Sequence, residues 1–97
     1  METRLSITNW ARETFGPIHA IDVAVRMNHE MAELLTAINT DQDKEDILAE
    51  CADIRIMLSQ IEHLCGLGGN SNPHVDEKMA INRSRSWGTK NGKVQHL

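Results

Sequence analysis

Apolar residues recur at helical spacing through most of this chain. From Ile18 they follow one another at three- and four-residue steps, which predicts one amphipathic helix to about Ile38. Neither Gly nor Pro interrupts that segment. The positions that define the pattern are Ile21, Val25, Ala32, Leu35 and Ile38.

A second long helix is predicted to begin at Thr40-Asp-Gln-Asp43, which has the form of a capping box with Asp in place of Glu. Its apolar positions alternate by four and three residues, a heptad pattern that requires a facing helix. Gly66 should end this helix. The heptad positions are Ile47, Cys51, Ile54, Leu58, Ile61 and Cys65.

Shorter elements flank the two long helices. Residues 6–15 are compatible with a helix that stops at Gly16-Pro17, and the segment from Pro73 to about Trp87 predicts a last short helix after a glycine-rich linker. No strand alternation is present, and residues 88–97 are expected to form a flexible tail. The sequence therefore predicts one all-α domain over residues 1–97 with its core in 18–87, built on two long antiparallel helices.

Size and composition favour association of this chain with itself. It has 97 residues, of which 40% are hydrophobic, and a net charge of -4. A chain this short buries a small share of its surface, so we expect an oligomer.

The chain has no apolar stretch long enough for a membrane span and no signal-peptide pattern, which predicts a cytoplasmic protein. Cys51 and Cys65 are too far apart on one helix to form a disulfide, so free thiols are expected.

Four carboxylates have the spacing of a metal site. Glu30 and Glu33 lie three residues apart on the first long helix, and Glu50 and Asp53 repeat this spacing on the second. Antiparallel packing could bring both pairs together, and oxygen ligands select hard ions such as Mg²⁺, with Mn²⁺ as its substitute. Alternatively, these are surface acids, with Arg26 pairing to Glu30.

The basic residues are concentrated at the other end of the chain. Residues 1–77 hold five bases and fourteen acids, whereas 78–97 hold five bases and no acid. Lys78, Asn82 and Arg85 share one helical face near Trp87, a pattern that suits a polyphosphate. The alternative is a solvated basic face with Trp87 in the core or in a subunit contact. Net acidity and the lack of a recognition motif argue against a nucleic acid polymer as partner.

These motifs resemble a known family. Glu30-Met-Ala-Glu33 and Glu50-Cys-Ala-Asp53, separated by sixteen residues, are similar to the ExxE...ExxD signature of MazG-like nucleotide pyrophosphohydrolases, in the all-α NTP pyrophosphatase superfamily. The later Lys78-x-x-x-Asn82-x-x-Arg85-x-Trp87 resembles that family's phosphate-contacting segment. In one departure, His29 stands where the family commonly has another glutamate. Residues 10–16 are similar to the start of short, often phage-encoded members, including the MazZ type that acts on purine deoxynucleotides.

The resemblance implies an activity and a role for each motif. It implies Mg²⁺-dependent hydrolysis of a nucleoside triphosphate, most readily a deoxynucleotide, to the monophosphate and pyrophosphate, in host cytoplasm if phage-encoded. The implied partners are that substrate and one or three further copies of the chain, in a homodimer or homotetramer with a four-helix-bundle-like fold. The implied metal ligands are Glu30, Glu33, Glu50 and Asp53. Catalysis would rest on Glu33 and Glu50, with Glu33 as the preferred general base, and substrate binding on Lys78, Asn82, Arg85, Trp87 and Trp10.

Two other functions fit the same sequence. A non-catalytic helical module could dimerise through the seam from Ile47 to Cys65, and its behaviour would not depend on divalent ions. A degenerate MazG-like protein could bind nucleotides without turnover, and His29 is the departure that suggests it. Nucleotide binding without product would identify the degenerate protein.

Overall fold

The computed structural model describes residues 1–40, 43–90 and 93–96, which form four helices and a small hairpin. The helices are α1 (Arg4–Phe15), α2 (Ala20–Asn39), α3 (Lys44–Leu64) and α4 (Pro73–Ser84). Strands β1 (Trp87–Lys90) and β2 (Lys93–His96) pair antiparallel, with Trp87 opposite His96. The all-α prediction is confirmed. α2 lies within two residues of its predicted bounds, 18–38, and α3 ends within two residues of Gly66, but α3 begins at Lys44, later than a capping box at Thr40 predicts.

The pair of long helices is the centre of the fold. α2 packs closely against α3, and α1 packs on α3 from another side. Because a four-residue connection joins α2 to α3, the two run antiparallel. Ala11, Val23 and Ala37 are the buried apolar residues of the described chain, so the core of one copy is small.

The helix ends follow local capping chemistry, with one correction to the sequence-based prediction. Thr40 does not open α3 but ends α2, where its hydroxyl donates to the Thr36 carbonyl at 2.8 Å. Asp43 is the N-cap of α3 instead, and its carboxylate accepts from the Glu45 amide at 2.8 Å. An N-cap Asp side chain can accept a hydrogen bond from the free backbone amide two residues later, so this helix start does not need a capping box. Asp41 and Gln42 lie outside the described residues.

Gly66 ends α3 as predicted. Its backbone has φ +93°, a left-handed conformation that glycine adopts without a steric penalty. The Leu67 amide donates to the Glu62 carbonyl at 2.9 Å and the Gly66 amide to the His63 carbonyl at 3.0 Å. These two bonds are the Schellman pattern, which satisfies carbonyls left free at a helix C-terminus.

The C-terminal segment differs from the prediction. The last helix stops at Ser84 rather than near Trp87, and a hairpin occupies residues where no strand was expected. The strands are four residues long and mostly polar, so hydrophobic alternation could not reveal them. Asn91-Gly92, between the strands, is the dipeptide most typical of two-residue hairpin turns and was the missed signal.

The apolar positions that predicted α2 do not face α3. Ile21 and Leu35 are about 70% exposed, and Val25 and Ile38 are more than half exposed. The radius of gyration is 16.1 Å, whereas a compact chain of this length has about 12–13 Å. A single copy is therefore open, with an apolar stripe along the outside of α2. No helix in the described part of the chain combines the length and apolar character needed to cross a bilayer.

Candidate metal centre

Three carboxylates from the two long helices converge on one point. Glu30, Glu50 and Asp53 each offer an oxygen, and these three oxygens all lie within 4.8 Å of one another. The convergence follows from the sequence because residues three apart share a helix face and α2 packs on α3. The predicted meeting of the two acidic motifs is thus present in the structure.

Burial leaves two of these carboxylates without ordinary partners. Glu30 and Glu50 are half-buried, and Oε2 of each is shielded from solvent and accepts no hydrogen bond from any described residue. Arg26 does not neutralise Glu30, since its guanidinium lies over the Phe15 ring, 5.4 Å from the ring centroid. In the described chain, the one ion pair within 4.0 Å joins Arg4 to Glu62. A buried oxygen without a donor is costly unless a cation satisfies it.

The electrostatics of the cluster point the same way. Partial burial raises the pKa of Glu30 above its ordinary value of 4.5. The neighbouring Glu33 carboxylate raises this pKa further, by its negative charge and by accepting a hydrogen bond from protonated Glu30. The charges of Asp53 and Glu50 add to the effect. Without a cation, like charges at this spacing oppose full ionisation. The cluster therefore favours either a bound proton or a metal ion.

Glu33 lies beside this cluster rather than within it. It is exposed and lines an open cleft of about 360 Å³ together with His29, Thr36 and Glu50. His29, which stands at the position of the departure from the family pattern, is exposed in the same cleft. The cleft thus gives solvent and small molecules access to the carboxylates.

The donor set fits a hard divalent cation. All three converging ligands are carboxylate oxygens, and two of them have an oxygen that lacks a protein donor. Mg²⁺ and Mn²⁺ take such ligands and retain open positions for water or for phosphate oxygens. Glu30, Glu50 and Asp53 could hold such an ion, and Glu33 lies beside them on α2, where it interacts with Glu30.

Lys78 and Asn82 of the predicted basic face lie on α4, but Arg85 is the C-cap with an extended backbone, so the three residues do not share one helical face as predicted. Lys78 and Arg85 are exposed, and Asn82 is half-buried. The Asn82 carbonyl accepts a hydrogen bond from Trp87 Nε1 at 2.7 Å, which fixes the indole against the end of α4. Among the described elements, α4 packs against neither α2 nor α3. The structure therefore does not bring the basic face into packing contact with the carboxylate helices of the same copy.

Trp10 belongs to an aromatic pair on α1. Its ring meets Phe15 edge to face, with centroids 5.6 Å apart. The indole is 51% exposed and lines a cleft of about 380 Å³ with Ile7 and Ile56. Core packing does not account for the exposed half of this ring.

Comparison with known proteins identifies the fold. No family model matches the chain, and no curated protein matches it. A solved structure does, that of the cyanophage S-2L MazG-like pyrophosphohydrolase bound to dGDP and three catalytic Mn²⁺ ions per active site. The TM-score is 0.73 over 97% of this chain and 92% of that one, at 24% sequence identity. The chain has the MazG-like fold.

In this chain, the MazG-like fold includes the packing of α2 on α3, and Glu30, Glu50 and Asp53 converge between these two helices. The match covers nearly the whole chain and so extends well beyond the α2–α3 pair that holds these carboxylates.

Proposed function

We propose that this protein is a divalent-metal-dependent nucleoside triphosphate pyrophosphohydrolase that produces a nucleoside monophosphate and pyrophosphate. The observation that carries the proposal is the convergence of Glu30, Glu50 and Asp53 within 4.8 Å in a MazG-like fold. The structural neighbour is a pyrophosphohydrolase that binds a deoxynucleotide, which supports a deoxynucleoside triphosphate as the preferred substrate.

The proposed metal ligands are Glu30, Glu33, Glu50 and Asp53, with Mg²⁺ as the resident ion and Mn²⁺ as its substitute. The buried Oε2 atoms of Glu30 and Glu50, which have no hydrogen-bond donor among the described residues, support this assignment, as does the Mn²⁺ in the neighbour's active site. When bound, the ions would neutralise the triphosphate and lower the pKa of water at the site. The half-buried carboxylates hold their geometry through the packing of α2 on α3, so binding requires little rearrangement.

Glu33 and Glu50 are the proposed catalytic residues. Glu33 is exposed at the mouth of the cleft, where its carboxylate can orient a water molecule and accept its proton. Glu50 lines the same cleft from α3, opposite Glu33, and its half-buried position keeps its oxygens directed into the cluster. The water would attack phosphorus directly, so no covalent nucleophile is needed.

The substrate's phosphates are the proposed ligands of Lys78, Asn82 and Arg85. Lys78 and Asn82 on one face of α4, with Arg85 directly after the helix, could bind the β- and γ-phosphates and stabilise the departing pyrophosphate. Trp87, next to that face, and the exposed half of Trp10 offer surfaces on which a nucleobase could stack.

A homodimer or homotetramer is part of the proposal. The stripe of Ile21, Val25, Leu35 and Ile38, each more than half exposed, lies along one helix, and clustered apolar side chains of this kind are typical of a protein contact surface. This stripe runs beside the carboxylate cleft, since Val25 and Ala32 line a groove that His29 shares. A second copy on the stripe would cover the open side of the site and bring other basic residues toward it.

The test is product identification with wild-type protein. Each common NTP and dNTP is incubated with Mg²⁺, Mn²⁺ or EDTA, and the products are resolved by chromatography. The proposal predicts monophosphate and pyrophosphate with either ion and none with EDTA. Diphosphate and phosphate would indicate a different reaction. Nucleotide binding without product would identify the degenerate protein, and no binding at all would favour the interaction module.

A further inference from the structure

Arg4 joins three parts of the chain that are distant in sequence. It is the most deeply buried charged residue that the structure describes, with 8% of its surface exposed. Nε donates to Glu62 Oε1 at 3.2 Å, and Nη1 donates to the carbonyls of Gly69 at 3.0 Å and Ser71 at 2.8 Å, with a longer contact to Gly68 at 3.4 Å. One side chain of α1 thus binds both α3 and the loop that leads to α4.

The same hydrogen bonds continue to the first turn of α4. The second oxygen of Glu62, Oε2, accepts from Asn72 Nδ2 at 2.8 Å. Asn72 is the N-cap of α4, and its Oδ1 accepts from the Val75 amide at 3.1 Å. A continuous chain of hydrogen bonds therefore runs from α1 through Glu62 to the start of α4. We call Arg4, Glu62 and Asn72 the clamp.

The clamp matters because little else fixes α4. Among the described elements, α4 packs against none of the other helices. The loop before it contains Gly66, Gly68 and Gly69, and glycine-rich loops have many accessible conformations. Three carbonyl contacts from one guanidinium select one of those conformations. Arginine suits this role because its planar group donates in several directions at once.

We propose that Arg4 is a positioning residue which, through the clamp, sets the direction of α4 and so the place of Lys78 and Asn82. This inference rests on the proposed function, because those residues are its proposed phosphate contacts. Arg4 does not lie among the carboxylates, and Glu30 and Glu50 are held by α2 and α3. Loss of the clamp should therefore weaken triphosphate binding and leave metal binding unchanged.

The test compares Arg4→Gln with Arg12→Gln, which changes an exposed arginine of the same helix. Hydrogen exchange should accelerate in residues 66–84 of Arg4→Gln and stay at the wild-type rate in α2 and α3. KM for the triphosphate should rise about tenfold in Arg4→Gln, while kcat changes less and the Kd for Mn²⁺ stays within about twofold. Arg12→Gln should match wild type in all three measurements.

Arg4→Lys keeps the inference testable if Arg4→Gln does not fold. Lysine keeps the charge beside Glu62 but lacks the planar fork, so exchange and KM should lie between those of wild type and Arg4→Gln. The inference would be overturned if residues 66–84 of both variants exchanged their amide hydrogens at the wild-type rate. It would also be overturned if exchange were faster in these variants but their KM for the triphosphate equalled that of wild type. Failure of the proposed function would appear separately, as an absence of pyrophosphate with wild-type protein.

Discussion

Glu30 on α2 and Glu50 on α3 face each other across the helix pair, and Oε2 of each is buried without a hydrogen-bond donor from the described residues. Such a pair is unfavourable in an ordinary helix interface, because each desolvated oxygen lacks a partner and the two charges repel. The same arrangement is favourable around a divalent cation. This relationship, more than the acidic composition of the chain, supports the proposal of a metal site over that of a surface cluster.

Stability of the metal-free protein should depend on the ionisation of Glu30. Its pKa is raised above 4.5 in the folded state, so folded protein binds this proton more tightly than unfolded protein does. Stability contributed by this group is therefore full below the unfolded pKa and is lost as pH rises through the folded pKa. In EDTA at neutral pH, Glu30→Gln should melt at a higher temperature than wild type, and the difference should shrink as pH falls toward 4.5.

Thermal melts across this pH range check that prediction, with Glu13→Gln, a change to an exposed carboxylate of α1, as the control. Mn²⁺ should reverse the order of the melting temperatures, because wild type keeps a ligand that the variant lacks. A difference between wild type and Glu30→Gln that does not vary with pH would contradict this account of the cluster.

Lys78→Ala should weaken binding of the triphosphate. Removing one charge-assisted contact should raise KM about tenfold, equivalent to about 1.4 kcal/mol of binding free energy. Steady-state kinetics would measure it, with Arg83→Ala as a control because Arg83 is exposed on α4 but lies off the face of Lys78 and Asn82. An unchanged KM and kcat would remove Lys78 from the phosphate contacts.

The helical fold was largely predictable from the sequence, because helical periodicity and capping signals are local. Apolar spacing gave the bounds of α2 and the shared face of Glu30 with Glu33, and Gly66 marked the end of α3, whereas the residue that opens α3 was assigned wrongly to Thr40 instead of Asp43. Which face of α2 packs inward was less accessible. Ile21 and Leu35 belong to an apolar stripe as regular as that of a helix packed in a protein core, yet both side chains are exposed. A helix with two apolar faces does not specify which face packs against its own chain.

The parts that sequence reasoning missed depend on distant contacts or on weak local signals. Arg4 gave no signal, since its partners lie 58 to 67 residues away. The placement of Glu33 beside the tight cluster, rather than in it, follows from side-chain geometry that spacing does not determine. The hairpin was missed because Asn91-Gly92 is its main local indication and the strands beside it are short and polar.

Association should depend on the exposed stripe of α2. Wild-type protein should elute with a molar mass that is a multiple of 10.9 kDa, and Leu35→Arg should shift it toward the monomer by placing a charge in the contact. Light scattering after size-exclusion chromatography measures this mass. Asn9→Arg adds the same side chain at an exposed position of α1 and should leave the mass unchanged. A monomeric wild-type protein, or an oligomer insensitive to Leu35→Arg, would contradict this role of the stripe.

Binding of Mn²⁺ to wild type, Glu50→Gln and Glu45→Gln tests the central claim most directly. Glu50→Gln nearly keeps the volume of the side chain but removes the charge of a ligand, whereas Glu45→Gln changes an exposed acid in the first turn of the same helix. The electron paramagnetic resonance signal of free Mn²⁺ measures how much ion each protein binds. We expect wild type and Glu45→Gln to bind Mn²⁺ and release pyrophosphate, and Glu50→Gln to fold normally but do neither. Equal Mn²⁺ binding by all three proteins would contradict the assignment of the carboxylate cluster as the metal centre.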